Sequence, residues 1–427
     1  MKVKILMALI FSFNTSASTT SLQGLVLQGE AYDQKYIDSI YQIRSQLFDA
    51  QSFRDNLFPK ISAKITNTYT EADVSGKEQQ VTSDGDYRYL SKAISLDQPL
   101  FDMSLFTSLS ASKHRVISLE LSARQAWGDL VRSVIGKYRA VIDSHADLEY
   151  QQAKENVIKH THDLVIAEYQ QGLQSKLALQ SSKLDYYRVK EETSQKRIYL
   201  QDARSALFDS TKVNSIAGYP ECKDLISATQ IELSNELNIF SHVGMDELRA
   251  EIDTLVAERK SIKAQYLPKL SASATYEQSE RFGGSFDGSK NEQVVYALNF
   301  SIPIYQGGER SSSLKKLSFQ IENKRSQYAL MFSRLSGKLD YLKNKIDLLT
   351  ERYSNSVELV LNAEGIVKIR REEEEKGMLE RKTLLEEISS LKQTEYAYQS
   401  SCTALLMAFM DIRILTGQPV FIGALNK

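Results

Sequence analysis

The chain has 427 residues, 25% charged and 42% hydrophobic, with a formal net charge of −1 at pH 7. That balance leaves no basic footprint for nucleic-acid phosphates. Only six prolines occur in this length, which suits long uninterrupted helices because proline removes a helix donor and clashes with the preceding turn.

Residues 1–18 read as a secretory signal. Lys2 and Lys4 form the charged start, Ile5 to Phe13 the short apolar run, and Thr15-Ser16-Ala17-Ser18 the small-residue zone, with cleavage expected after Ala17 or Ser18. A membrane anchor needs about 20 apolar residues, far more than this run supplies. No cysteine follows directly, so the mature N-terminus is expected to carry no lipid. Residues 19–58 are expected as an N-terminal helical segment. No later stretch is apolar enough to span a bilayer as a helix, so an exported chain of this kind enters a membrane only as part of a closed β-barrel.

Two hairpins of strands are expected, at 59–101 and 267–305. After Pro268, Leu270, Ala272, Ala274 and Tyr276 are apolar, and Lys269, Ser271, Ser273, Thr275 and Glu277 are polar or small. Val294, Tyr296, Leu298, Phe300, Ile302 and Ile304 then share one face, opposite Val295, Ala297, Asn299 and Ser301. The first hairpin repeats the pattern with Ile61, Ala63, Ile65 and Tyr69 against Lys60, Ser62, Lys64 and Thr66. Its second strand carries Leu90, Ile94 and Leu96, interrupted by Lys92, which must snorkel or lie near an interface. Period two gives one apolar and one wet face. Each strand has about ten residues, the length of a tilted membrane strand. The segments 70–86 and 281–290, rich in Gly, Ser, Asp and Glu, read as exposed loops. A soluble sandwich would need more strands than these four. Four strands cannot close a barrel alone, since bilayer barrels begin at about eight. Two chains would give eight strands and three would give twelve; the count by itself leaves both open.

The whole unit occurs twice. Leu57-Phe58-Pro59-Lys60-Ile61 returns as Tyr266-Leu267-Pro268-Lys269-Leu270, 209 residues later, and Gln98-Pro99-Leu100-Phe101 as Ile302-Pro303-Ile304-Tyr305, 204 later. Such a repeat settles the architecture before any local assignment. Each hairpin precedes a long helical hairpin, at 102–213 with its tip at Gly172 and at 306–416 with its tip at Gly377. From Ser104 to Gly172 and from Glu309 to Gly377 are both 68 residues, about 100 Å of helix. Leu335, Leu339, Leu342, Ile346, Leu349, Tyr353, Ser356, Val360, Ala363 and Val367 step by fours and threes. Leu384, Ile388, Leu391, Glu395, Tyr398, Cys402, Leu405, Phe409 and Ile412 do the same, which implies coiled-coil packing. An ordinary cytosolic coiled coil explains neither the export signal nor the strands. Between the copies, 214–245 is expected as a small irregular element and 246–266 as a helix; 417–427 is expected as a tail.

The tip glycines fit the left-handed residue that ends a helix. Ahead of Gly377 stands Glu372-Glu373-Glu374-Glu375, the wrong sign for a helix C-terminus. Either the run is solvated and compensated by Arg370, Arg371, Lys376, Arg381 and Lys382, or several copies gather it into an acidic ring. Cys402, on the helix seam, is expected as a buried thiol; pairing with Cys222 is the alternative in an oxidising compartment.

Catalytic chemistry is not expected. The five histidines form no metal set; His160 and His162 are two apart and point to different helix faces. No Gly-x-Ser-x-Gly turn or phosphate-binding glycine loop occurs. The reading is a non-enzyme with no cofactor, metal or catalytic residue.

Taken together, these features resemble the TolC family of outer-membrane efflux and secretion channels, across essentially the whole mature chain. The resemblance is carried by Phe58-Pro59-Lys60-Ile61 and Leu267-Pro268-Lys269-Leu270, by Pro303-Ile304-Tyr305-Gln306-Gly307-Gly308, by the two tip glycines and by Leu415-Thr416-Gly417. The first copy departs in having Met103-Ser104 where the second has Gly307-Gly308. The resemblance implies a mainly α protein with a membrane β-barrel, closed only as a homotrimer with twelve strands and a periplasmic α-helical tunnel. It implies the outer membrane of a Gram-negative bacterium, a periplasmic adaptor (membrane fusion protein) as partner, and an inner-membrane ABC or proton-driven pump. By position it places tip contacts at Gly172, Leu173, Gly377 and Met378. A constriction falls at Glu386, nine residues past Gly377, with Thr383 breaking any second acidic ring. Strand–helix junctions fall at Pro59, Pro99, Pro268, Pro303, Gly307 and Gly308. The cargo is protein or small toxic molecule, with a lean to protein secretion because many drug-efflux relatives are lipidated. The competing class is a barrel-anchored coiled-coil structural or adhesive protein without a lumen.

Overall fold

A computed structural model describes residues 22–71, 86–213, 239–283, 288–305 and 307–418. The signal segment, Cys222, Gln306, most of the 70–86 loop and of 214–245, and nearly all of the tail lie outside the described residues. The elements are α1 (Leu22–Glu30), α2 (Gln34–Asp55), β1 (Lys60–Thr70), β2 (Tyr87–Asp102), α3 (Met103–Gln170), α4 (Lys176–Thr211), a 3₁₀ turn (Ile239–Ser241), α5 (Val243–Ala264), β3 (Lys269–Phe282), β4 (Lys290–Ser301), α6 (Glu309–Glu375) and α7 (Arg381–Leu415). No described helix is long and apolar enough to cross a membrane. Two compact units are formed, one from Asp38–Ala123 and Val243–Phe332, the other from Met1–Ile37, Arg124–His242 and Ser333–Lys427.

The first unit holds the sheet, an antiparallel meander of order β1-β2-β3-β4. β2 and β3, which come from different copies of the repeat, pair in register, with Ile94 opposite Tyr276 and Leu96 opposite Ala274. The register slips once, between Pro99 and Phe101. Proline has no N–H for a ladder and is tolerated in a sheet at such a bulge. Pro99 therefore lies inside β2 rather than at the strand–helix boundary, three residues ahead of it.

The two copies enter their long helices differently. In the first, Asp102 accepts from the backbone N–H of Ser104 at 2.9 Å and from its hydroxyl at 2.6 Å, so a carboxylate caps the start of α3. In the second, Gly307 and Gly308 take φ of 61° and 85°, a left-handed step that costs residues with a Cβ about 1–2 kcal/mol. The Met-Ser for Gly-Gly exchange is thus a change of capping chemistry.

The second unit is helical. Its core gathers Leu25 and Val26 of α1, Leu130, Val134 and Ile142 among the α3 residues, Leu200 and Leu207 of α4, and Leu406 and Met410 of α7. Side-chain links order the helices. Lys196 of α4 meets Asp147 of α3 at 2.7 Å. α3 meets α7 through Arg132–Asp411 at 2.9 Å, Asp143–Thr403 at 2.8 Å and Glu149–Lys392 at 3.3 Å. α7 meets α6 through Ser401–Ser356 at 2.8 Å and the stacked rings of Tyr398 and Tyr353. The row is α4-α3-α7-α6.

The expected α6–α7 seam is present: Leu335, Leu339, Leu342, Ile346, Ser356 and Val367 are buried on α6, and Leu384, Cys402, Leu405, Phe409 and Ile412 on α7. Ser356, polar in an apolar seam, is satisfied by Ser401 and by its own helix's Tyr353 carbonyl. The cysteine expectation holds for burial and is corrected for the free thiol: Cys402 is fully buried and disulfide-bonded; the pairing with Cys222 lies outside the described residues. A seam position forecasts burial; it carries no information on oxidation.

Candidate functional site

The sheet sorts its side chains into two faces by register. On one, Ile61, Leu96, Ala274 and Tyr296 stand in a row across all four strands, and Ala63, Ile94, Tyr276 and Val294 form the next. Among the described residues nothing covers this face: Ile61 is 75% exposed, Tyr296 81% and Leu298 68%. A soluble surface seldom leaves so large an apolar patch open. From Val294 to Ile304 apolar residues alternate through about 33 Å of extended chain, which a tilt of roughly 40° turns into a band about 25 Å tall, the height of a bilayer girdle.

Lys92 finds its explanation here. Its row is Ile65, Lys92, Gln278 and Glu292, in which Gln278 donates to Glu292 at 2.9 Å. The apolar band has ended by this row, so the lysine sits beyond it.

On the opposite face the residues are polar and bonded across strands. Glu277 accepts from Ser91 at 2.6 Å and from Gln293 at 3.1 Å, and Thr275 donates to Ser95 at 3.3 Å. Lys269 pairs with Asp102 at 2.8 Å. Among the described residues β1 and β4 each keep one unpaired edge. Open edges are untenable in hydrocarbon, where backbone groups must all be bonded.

The helical tips are built alike. At the first, Gly172 has φ 75°, its N–H donates to the Tyr169 carbonyl at 3.0 Å, and Leu173 N–H to that of Glu168 at 2.8 Å. At the second, Gly377 has φ 72°, donating to Glu374 at 2.9 Å, with Met378 donating to Glu373 at 2.9 Å. Both are Schellman closures, which need a left-handed residue. Leu173 and Met378, 72% and 68% exposed, project at the turns. The tips differ afterwards: Ser175 caps α4 through its hydroxyl, accepting from Ala178 N–H at 3.1 Å, while Glu380 before α7 makes no side-chain cap.

Two of the four glutamates in the acidic run at the second tip are paired. Glu373 meets Arg370 at 2.9 Å, and Glu374 meets Arg381 at 2.9 Å. Arg370 also reaches Glu387 at 3.9 Å, and Glu386 lies 3.8 Å from Lys382. Glu372 and Glu375 are exposed. Arg370 and Arg381 thus tie the two arms of the hairpin. Sequence reasoning listed them only as compensating charge, because their partners are set by how α6 and α7 fold back on each other. Pro59, Pro268 and Pro303 lie in the short links beside β1, β3 and β4.

Residues 16–211 match the family described as "Outer membrane efflux protein". The fold is that of the Campylobacter jejuni CmeC outer membrane channel, with a TM-score of 0.74 at 12% identity over 93% of this chain and 85% of that one. The chain is similar in sequence and in fold to outer-membrane channels of the TolC family. TolC of Salmonella enteritidis is 23% identical over 284 residues, 62% of this chain and 55% of that protein. The alkaline protease secretion protein AprF of Pseudomonas aeruginosa is 19% identical over 278 residues, with the same coverage. The chain therefore spans about half the length of the curated relatives it matches. The open four-stranded sheet with its bare apolar face is thus part of a fold shared with outer membrane channels.

Proposed function

We propose that three copies close a twelve-stranded barrel and a helical tunnel, and that the assembly is a passive exit duct in the outer membrane. The observation that carries this reading is the four-stranded sheet with one lipid-type face, one polar face and two unpaired edges. Repeated around an axis, the polar face lines a lumen and the edges meet one another. The duct itself does no chemistry; energy comes from an inner-membrane pump, ABC-type or proton-driven, coupled through a periplasmic adaptor. Cargo is a type I secreted protein or an expelled toxic molecule, in keeping with relatives named for protease secretion and for efflux.

The tips around Gly172, Leu173, Gly377 and Met378 receive the adaptor and hold the duct shut at rest. The exposed acids Glu372, Glu375 and Glu386 border the constriction, and the Arg370 and Arg381 bridges hold the second hairpin narrow. The test is single-channel recording of purified protein in a planar bilayer beside its native mass. A trimer with small conductance that rises when Arg370 or Glu386 is neutralised is expected. A monomer, or a trimer silent under every tip change, would remove the channel and favour a barrel-anchored scaffold.

A further inference from the structure

The apolar face of the sheet continues as a charged surface where its band ends. Along β2 the residues that share the side of Leu96 and Ile94 are Lys92, Leu90 and Arg88, running toward the end of the sheet away from α3 and α6. Lys92 stands two residues, about 7 Å, beyond Ile94, and Arg88 six residues, about 20 Å. With strands tilted by roughly 40°, Arg88 lies about 15 Å above the band. A phospholipid headgroup layer is only about 5–7 Å deep on each side of the hydrocarbon. Phospholipid phosphates therefore lie level with Lys92 and well short of Arg88.

At the height of Arg88 the same face is hollowed. Tyr69, Arg88 and Phe282 form one row across β1, β2 and β3. With Asn67, Asp86 and Tyr87 they line a cavity of about 480 Å³. Tyr69 is 65% exposed and Phe282 39%, so an open aromatic ring stands on either side of the arginine. Arg88 donates through Nε to Asn67 Oδ1 at 2.7 Å, and the Tyr69 hydroxyl donates to Asp86 Oδ2 at 2.9 Å. Among the described residues the two terminal nitrogens of Arg88 have no partner and Lys92 has no ion pair. The acids of the neighbouring rows are engaged: Glu280 lies 3.5 Å from Lys290, and Glu292 accepts from Gln278 at 2.9 Å.

This set selects its ligand by chemistry and by height. A guanidinium anchored through Nε presents its remaining N–H groups to phosphate oxygens. The amide N–H groups of Asn67 and the second oxygen of Asp86 suit hydroxyls as acceptors and donors. Exposed aromatic rings beside a few placed polar groups make a small-molecule site rather than a bare surface. We propose that this cavity, with Lys92 below it, binds the phosphorylated saccharide headgroup of a glycolipid in the outer leaflet. Arg88 holds a sugar phosphate, Asn67 and Asp86 hold sugar hydroxyls, and Lys92 meets the phosphate nearest the acyl chains. A phospholipid reaches Lys92 alone. The inference rests on the membrane-embedded barrel proposed above and gives that barrel a lipid ligand.

The test is native mass spectrometry of the full-length protein in detergent with three probes: lipopolysaccharide, the same glycolipid stripped of its phosphates, and phosphatidylglycerol. A trimer carrying lipopolysaccharide is expected. Arg88→Ala should weaken that adduct about tenfold or more, the scale of hydrogen bonds to a charged group, and leave phosphatidylglycerol unchanged. Arg88→Lys, which keeps the charge without the fork, should fall between. Stripping the phosphates should weaken binding to the native protein as much and abolish its dependence on Arg88. Lys64→Ala removes an exposed lysine from the opposite face and should bind as the native protein does. The trimeric mass of each variant reports that it still folds. Equal binding by Arg88→Ala, equal loss with Lys64→Ala, or a phosphatidylglycerol adduct that needs Arg88 overturns the site and leaves the duct standing. A native trimer without any lipopolysaccharide does the same. Monomeric mass of the native protein removes the barrel, and this site with it.

Discussion

Thr403 of α7 donates its hydroxyl hydrogen to Asp143 of α3 at 2.8 Å, between residues 260 apart in sequence. Thr403 is fully buried, and Arg139 closes the other side of the carboxylate at 3.0 Å. Burial raises the Asp143 pKa above its usual 3.8, outweighing Thr403 and Arg139, which pull it down. A carboxyl raised in the fold contributes fully below its ordinary pKa, and that contribution is lost as pH climbs through the raised value. Asp143→Asn keeps the acceptor for Thr403 and cannot ionise. Its melting temperature relative to the native protein should therefore rise as pH increases from about 3.8, read from melts at pH 3 to 7. A difference that falls over that interval would reject the desolvated state of Asp143.

The two faces of β4 should respond oppositely to one charge. Tyr296 lies in the row with Ile61, Leu96 and Ala274, and its neighbour Val295 in the row with Ser62, Ser95 and Thr275. Tyr296→Lys places an ammonium in the apolar band, at a cost of about 2–4 kcal/mol near the bilayer midplane. Val295→Lys should assemble and alter ion selectivity. Membrane fractionation with conductance distinguishes them, and equal assembly of both would contradict the assignment of faces.

At the second tip, Arg370→Ala removes links to Glu373 and Glu387. The groups are more than a third exposed or close to it, so each link is worth no more than about 1 kcal/mol and thermal stability should hardly change. Conductance should increase. If stability falls while conductance stays, Arg370 is structural and the tip bridge does not gate.

Three left-handed glycines should tolerate alanine differently. Gly172 and Gly377 face open space, so alanine costs only the left-handed strain, about 1–2 kcal/mol. Gly417, φ 68°, closes α7 with its N–H on Ile414 and Gln418 N–H on Arg413. A Cβ there would overlap the Ser241 carbonyl oxygen, which is backbone and cannot yield without moving the 3₁₀ turn. Gly417→Ala should cost more than about 3 kcal/mol, among the large single-site effects. Similar melting temperatures for all three variants would refute the close approach.

Several features were legible before any coordinates. Alternation in 269–277 and 294–304 assigns the strand faces, because strand side chains repeat every two residues whatever they pack on. The fours and threes from Leu335 to Val367 assign the α6 seam for the same kind of reason. Gly172 and Gly377 announce the helix ends through the conformation that only glycine adopts cheaply.

Periodicity tells which side of an element is apolar; it does not name the neighbour. Thus Ile94 meets Tyr276 across a sequence separation that no local pattern encodes, and Lys92 is harmless because the register sets it beside Gln278 and Glu292. The order α4-α3-α7-α6, the arginines that clasp the second tip and the oxidised state of Cys402 likewise appear only in three dimensions. The sequence by itself determined the elements, their duplication and their apolar faces, since these follow from residue type and spacing along one chain. The tertiary structure decided which faces meet and which stay bare, because that depends on closure between segments hundreds of residues apart.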